Sequence, residues 1–262
     1  MAERNRNCRP DPVRRLSKPA WKLWRYLSRH PLWSAVLAAA IVTVGGAIIA
    51  KGGGSGEAGL PAAGFGPSRP VYWCKRPSSC DGADHVVFNS YANAPNYGDE
   101  RTFVDAKPAS IEMAGGFQDV LEVEPEESVL VRFYVNNAAW GARLGRREGM
   151  ARGTEARASV PLEPGTHHYI FGFITAQNAR PRTVWDGVTL ESDEPTILRY
   201  EFDSARLWTK HFPAEVSVSD ALMEEGTPIG SWALDGRFGN AFVDSGLLTF
   251  RVRIEAVESS SN

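Results

Sequence analysis

Residues 31–50 read PLWSAVLAAAIVTVGGAIIA, 20 residues without a charge. No other feature constrains the chain as much. As an α-helix this stretch would measure about 30 Å, the thickness of a bilayer's hydrocarbon core. Few helices inside water-soluble domains are apolar on every side for that length, so the sequence predicts a transmembrane helix over 31–50. Gly45 and Gly46 are compatible with this, because glycine is common in membrane helices. Arg4, Arg6, Arg9, Arg14, Arg15, Lys18, Lys22, Arg25 and Arg29 precede the span, and Lys51 follows it closely. The positive-inside rule then places the basic tail 1–30 in the cytoplasm and everything after the span outside the cell.

Trp21, Trp24, Tyr26 and Trp33 are interleaved with these bases. That mixture suits the headgroup zone, where rings and cations both find partners. A cleaved signal peptide has a shorter basic start and an apolar run of about 7–15 residues, so an uncleaved signal anchor is the better reading. The small residues at the end of the span keep cleavage open as an alternative. The net charge of −2 argues against a nucleic-acid binder that works by bulk electrostatics. It also hides a split, with the basic excess before the span and an acidic excess after it.

Residues 51–70 are dominated by glycine, proline and small side chains and predict a flexible linker. The glycines do not form a phosphate loop, since no Gly-Lys-Ser/Thr ending follows them. Cys74 and Cys80 come next. In an oxidising compartment a disulfide between them is expected, contributing about 2.4 kcal/mol in the chain-entropy view. A metal site would need more ligands close by than His85 alone. Cys8 falls on the cytoplasmic side and is expected to stay reduced.

An outer domain is expected over 71–256, and from residue 84 onward its dominant period is two. Val129, Val131, Phe133 and Val135 alternate with Leu130, Arg132 and Tyr134. Leu198, Tyr200 and Phe202 alternate with Arg199, Glu201 and Asp203. Leu248, Phe250, Val252 and Ile254 alternate with Thr249, Arg251, Arg253 and Glu255. Half-buried antiparallel strands read this way. Residues 167–175 are apolar on both faces and suit a central strand. Turn signals stand at Pro125-Glu126, Pro164-Gly165, Asp186-Gly187 and Asp235-Gly236. Residues 219–226 form the helical candidate outside the anchor, with Ser219 as cap and Gly226 just past the end. The expected fold is mainly β: an antiparallel β-sandwich of immunoglobulin-like, decorated type behind one transmembrane helix, with a disordered tail at 257–262.

Several segments carry a resemblance: 96–104 (NYGDERTFV), 131–138 (VRFYVNNA), 156–162 (ARASVPL), Val184-Trp185-Asp186, 229–236 (IGSWALDG) and 248–252 (LTFRV). In this order they resemble a group of uncharacterised, membrane-anchored or secreted proteins of high-GC bacteria. The strand, Asn-Asn, strand core is similar to conserved-repeat, immunoglobulin-like modules of bacterial surface proteins. The resemblance implies a fold and a location at the cell surface. It implies no catalytic residues.

The chemistry-bearing residues are few. His167 and His168 are neighbours on an expected strand and point to opposite faces, so they do not converge on one metal. Asp99, Glu100 and Arg101 form a charged cluster, whose acid pair could serve as general acid and base or bind calcium, though without EF-hand spacing, and which is read instead as a loop pinned by an Arg–carboxylate pair. Trp185-Asp186-Gly187 reads as an aromatic followed by a turn, and Asn136-Asn137 as the end of a strand. Trp73, Trp140, Trp185, Trp208 and Trp232 lie in the outer domain. Of these, Trp140, Trp185, Trp208 and Trp232 are candidates for stacking on sugar rings if they are exposed together. No catalytic triad, zinc-hydrolase motif, metal set or cofactor motif emerges. The expected function is that of a cell-surface interaction module and not an enzyme, with the membrane, an envelope protein or a polysaccharide as partners. A carbohydrate-binding module and an extracellular hydrolase are the rival classes.

Overall fold

The computed structural model describes residues 64–76, 79–140, 149–240 and 244–257. The basic tail, the expected span 31–50, most of the linker and nearly all of the short C-terminal tail lie outside the described residues. Among the described residues no helix is long and apolar enough to cross a membrane.

The described part is mainly β. Its strands are β1 (Phe65–Gly66), β2 (Cys74–Arg76), β3 (Ser79–Cys80), β4 (Val104–Pro108), β5 (Val120–Glu122), β6 (Ser128–Val135) and β7 (Glu155–Ser159). They continue with β8 (Gly165–Thr175), β9 (Thr183–Tyr200), β10 (Arg206–Thr209), β11 (Val216–Ser217), β12 (Thr227–Pro228) and β13 (Gly246–Ala256). Eleven strands join in one hydrogen-bonded network, and β2 and β3 pair separately. Every pairing is antiparallel except that of β5 with β9.

The 18-residue strand β9 organises the network. Its first half, Thr183–Glu191, pairs with β8 on one edge and with β1 and β5 on the other. Its last residues, Thr196–Tyr200, pair instead with β13, whose other edge holds β6, which in turn pairs with β4. One strand therefore serves two sets of neighbours. The inward side chains of the two sets meet: a Cβ at Gly172 of β8 would come within 2.6 Å of Phe133 on β6 and Val104 on β4. Glycine there permits the close approach, and a larger residue would overpack the core. Phe133 packs edge-on against Phe103 (6.3 Å) and Phe250 (5.6 Å) in that core. Burial of such rings is the main favourable term in folding. A smaller cluster, including Val87, Tyr91 and Ala138, packs near the disulfide-linked Cys74 and Cys80.

Three local expectations are corrected. Asp186-Gly187 is not a turn but lies inside β9. The Asp186 carboxylate points inward and accepts the Val104 N–H at 2.7 Å, which supplies the partner that a polar group inside a sheet needs. Phe202 lies beyond the end of β9 and is 79% exposed, so the alternation at 198–203 overruns the strand. The helical candidate at 219–226 contracts to one 3₁₀ turn, Asp220–Met223. Ser219 caps it by accepting from Ala221 N–H, and Gly226, at φ +102°, returns its N–H to the Ala221 carbonyl at 2.8 Å. The ordered strands also start before residue 71. Gly66 pairs with Trp185, and Arg69 is buried with its Nε–H donated to the Asn89 carbonyl at 3.0 Å.

Candidate functional site

The register of β10 on β13 builds the most site-like constellation. Thr209 pairs with Gly246. Carried two residues further, the same antiparallel alignment sets His211 opposite Asp244, and their side chains meet with Nε2 and Oδ1 2.5 Å apart. Trp232, from the loop after β12, tilts over the imidazole at 4.7 Å between ring centroids and 35° between planes. It stays half exposed (49%), while Asp244 is 8% exposed. These three residues, with Met150, Lys210 and Asn240, line a cavity of about 410 Å³.

Buried hydroxyls hold the walls of this cavity together. Thr209 donates its hydroxyl to the Ser231 carbonyl at 2.8 Å and accepts the His211 N–H at 3.2 Å. The Ser231 hydroxyl accepts the Gly239 N–H at 2.8 Å and donates to the Asp244 carbonyl at 3.3 Å. Thr209 and Ser231 are both fully buried. The glycines contribute by having no side chain. A Cβ at Gly239 would overlap Asp244 Oδ2, and one at Gly149 would lie 2.5 Å from Asn240 Nδ2. Asn240 Nδ2 is itself a buried donor without a partner. Support of this kind fixes side-chain geometry before any ligand arrives.

A second region is polar but closed. Asp99 and Arg101 pair through several contacts, including Nε–Oδ1 at 2.9 Å, and the Arg101 guanidinium sits 5.0 Å over the Phe65 ring. Burial pushes Asp99 up, but the hydrogen bonds and charge of Arg101 outweigh it and hold the carboxyl below its ordinary value. Glu100 turns the other way and is fully buried. Its oxygens accept Asn136 Nδ2–H at 2.7 Å and Tyr91 N–H at 3.3 Å. Burial still dominates and pushes its pKa up to about 8. Asn89 Nδ2 donates to the Tyr134 carbonyl at 2.7 Å, and Asn89 Oδ1 accepts the Asn136 N–H at 2.9 Å. Asn136 Oδ1 lacks a partner within this network. Burial likewise raises Asp186 to about 7.

The outer surface of β8 and the adjoining start of β9 carries a group of aromatic rings. Tyr169, Phe171 and Phe173 on β8 and Trp185 on β9 share it, each half-buried, opposite the buried His168, Ile170, Ile174 and Asp186. Phe171 meets Trp185 edge-on at 6.0 Å, and the Arg157 guanidinium covers Phe173 at 4.1 Å. The ring of Phe171 lies against Gly187, where a Cβ would be 2.9 Å away, and Trp185 lies against Gly66. Glycine thus lets both rings lie across the backbone.

The remaining sequence candidates are dispersed. His167 is exposed, with Nε2 3.9 Å from Glu191, whereas His168 is buried with Nε2 3.0 Å from Thr196 Oγ1. Trp140 and Trp208 are half-buried, Trp73 is 59% exposed, and among the described residues no two tryptophan rings touch each other. The candidate tryptophans therefore do not form one platform. Glu122, Glu124, Glu127, Glu191, Asp193 and Glu194 rim an open cavity of about 610 Å³. No group of three or more potential ligands among the described residues is placed to hold a metal ion. The pairing of His211 with Asp244 and the aromatic row Tyr169-Phe171-Phe173 are the features that sequence reasoning missed. The aromatic residues within 167–175 read as part of a strand apolar on both faces, and nothing local links residues 211 and 244. Comparison with known protein families, with curated proteins and with solved structures gives no match to this chain.

Proposed function

We propose that this chain is a single-pass cell-surface protein, amino terminus in the cytoplasm, whose outer domain is an immunoglobulin-like β-sandwich acting as an interaction module for an envelope protein or polysaccharide. The apolar run 31–50 and its basic flank support the anchoring. The two strand sets that share β9 and meet at Gly172 support the sandwich.

The observation that carries the binding role is the aromatic outer surface of β8 and β9. The solvated face of an antiparallel sheet is ordinarily polar. Here Tyr169, Phe171, Phe173 and Trp185 occupy it. Apolar area left in water costs about 25 cal/mol per Å² relative to burial, so a partner that covers these rings is favoured. The full-length protein in lipid nanodiscs, co-sedimented with envelope fragments of the cells that express it, tests this. Replacing Tyr169→Ser and Phe173→Ser together should weaken retention about tenfold or more. Undiminished retention by a variant with unchanged hydrogen-exchange protection would remove this surface from the interaction. Topology has its own test. Protease added to intact cells should remove a tag after residue 262 and spare one before residue 1, and the reverse pattern would overturn the orientation.

A further inference from the structure

We infer that the His211–Asp244–Trp232 cavity is a saccharide-binding site that accepts one pyranose ring. The inference deepens the interaction-module reading by naming a ligand class at a place separate from the aromatic outer surface. The ligand class follows from the groups that converge there. Trp232 offers a half-exposed indole, packed tilted over the His211 imidazole at 4.7 Å between centroids. The C–H face of a sugar packs on such a surface, because the ring quadrupole presents negative charge to polarised C–H groups.

A sugar also needs acceptors and donors for its hydroxyls, and both are present. The carboxylate of Asp244 gives Oδ1 to His211 and keeps Oδ2 as a second acceptor, held over Gly239 where a Cβ would overlap it. Lys210 adds an exposed ammonium at the rim as the donor, and Asn240, whose Nδ2 is buried against Gly149 without a partner, completes the lining. The lining carries one carboxylate (Asp244) and one ammonium (Lys210), which leaves little net charge to neutralise and favours a neutral ring over an anion. A cavity of about 410 Å³ falls in the ordinary range for small-ligand sites.

The Thr209–Ser231 hydroxyl relay adds the decisive argument. A surface His–Asp pair needs no buried support to exist. Here two fully buried hydroxyls tie the β10 end, the Trp232 loop and the start of β13 together, so the three walls keep a fixed spacing without a ligand. Preorganisation lowers the entropic cost that a weak, hydroxyl-rich ligand must meet.

The test uses the full-length protein in nanodiscs and saturation-transfer NMR. The probes are glucose, galactose, mannose and N-acetylglucosamine as methyl glycosides, with sodium sulfate as a separate probe. Transfer from the protein to the ring protons of at least one sugar is expected, focused on one face of the ring. Trp232→Ala should weaken that sugar about tenfold or more. Trp232→Tyr should restore most of it, and Gly239→Ala should abolish it by displacing the Asp244 carboxylate. The outer-surface pair Tyr169→Ser and Phe173→Ser should leave the sugar signal unchanged, so failure of the interaction-module reading and failure of this one are separable. Absence of transfer to all four sugars, transfer unaffected by Trp232→Ala, or competition by sulfate at this site would overturn the inference.

Discussion

Two polar clusters, both assembled from residues far apart in sequence, behave in opposite ways. Around Glu100, polar groups are turned inward and bonded to one another, Asn136 Oδ1 excepted: Asn89, Asn136 and Glu100 are all fully buried. Around His211, the supporting hydroxyls are just as buried, but the groups they support face a cavity. The first cluster directs its hydrogen-bonding capacity to the fold and the second leaves some of it outward. The contrast teaches that support and opening must be read together. Buried polar networks of similar density serve stability when sealed and recognition when one side stays open.

The largest effect that can break this contrast is expected at Asn89. Asn89→Ala strands the Tyr134 carbonyl and the Asn136 N–H in a dry interior, at a cost on the order of 3 kcal/mol. A fall in the urea midpoint of the full-length protein measures it. A negligible shift would mean that the sealed cluster does not hold the fold.

Protonation supplies the next effect. Folding raises Glu100 from 4.5 to about 8 and Asp186 from 3.8 to about 7, burial being the main cause in each. The folded state therefore binds more protons than the unfolded chain. The stability these groups contribute is fully present below pH of about 4 and is lost as pH rises through about 7 and then 8. Urea midpoints across that window should decline, and Glu100→Gln should remove the upper part of the decline while leaving the part due to Asp186. A flat profile in the parent protein would contradict the buried placement of both acids.

Arg101 lies on the solvent side of the same cluster, with its pair to Asp99 partly exposed. Arg101→Ala should cost no more than about 1 kcal/mol, read as a small shift in melting temperature. The smallest change in stability belongs to the open cluster. Trp232→Ala should move stability by no more than about 0.5 kcal/mol, although it removes the aromatic wall of the cavity. A larger loss would make Trp232 a structural residue like Asn89 and would erase the contrast.

Legibility in the sequence followed the range of the interactions. Strands β6 and β13 announce themselves because buried Val129, Val131 and Phe133, and Leu248, Phe250 and Val252, recur at every second residue over uninterrupted runs. The pair Cys74–Cys80 was legible because its partners are close in the chain. Strand β9 was not, since Asp-Gly is a turn signal and only the distant Val104 N–H makes Asp186 acceptable inside a sheet. The constellation at His211 was hidden for the same reason. Its residues are collected by the β10–β13 register and by a loop after β12, and no local spacing encodes that meeting. Glu100 was legible as part of a charged loop, but not as the member of it that turns inward, because adjacent residues give no sign of which one the core will take.

The two-residue strand β1 has a mechanical consequence. Tension entering from the amino-terminal side first reaches Phe65 and Gly66, whose backbone is zipped to β9 at only Asp186 and Trp185. So short a zipper peels before the rest of the strand network feels the pull. The next fastening is the Arg69 guanidinium clasped to the Asn89 carbonyl, followed by the Tyr72 bridge to Tyr91 and the Cys74–Cys80 staple. The entry is therefore graded: a two-residue stitch on β9 yields first, a buried side-chain clasp next, and the covalent Cys74–Cys80 link then spares the chain between those two residues from extension.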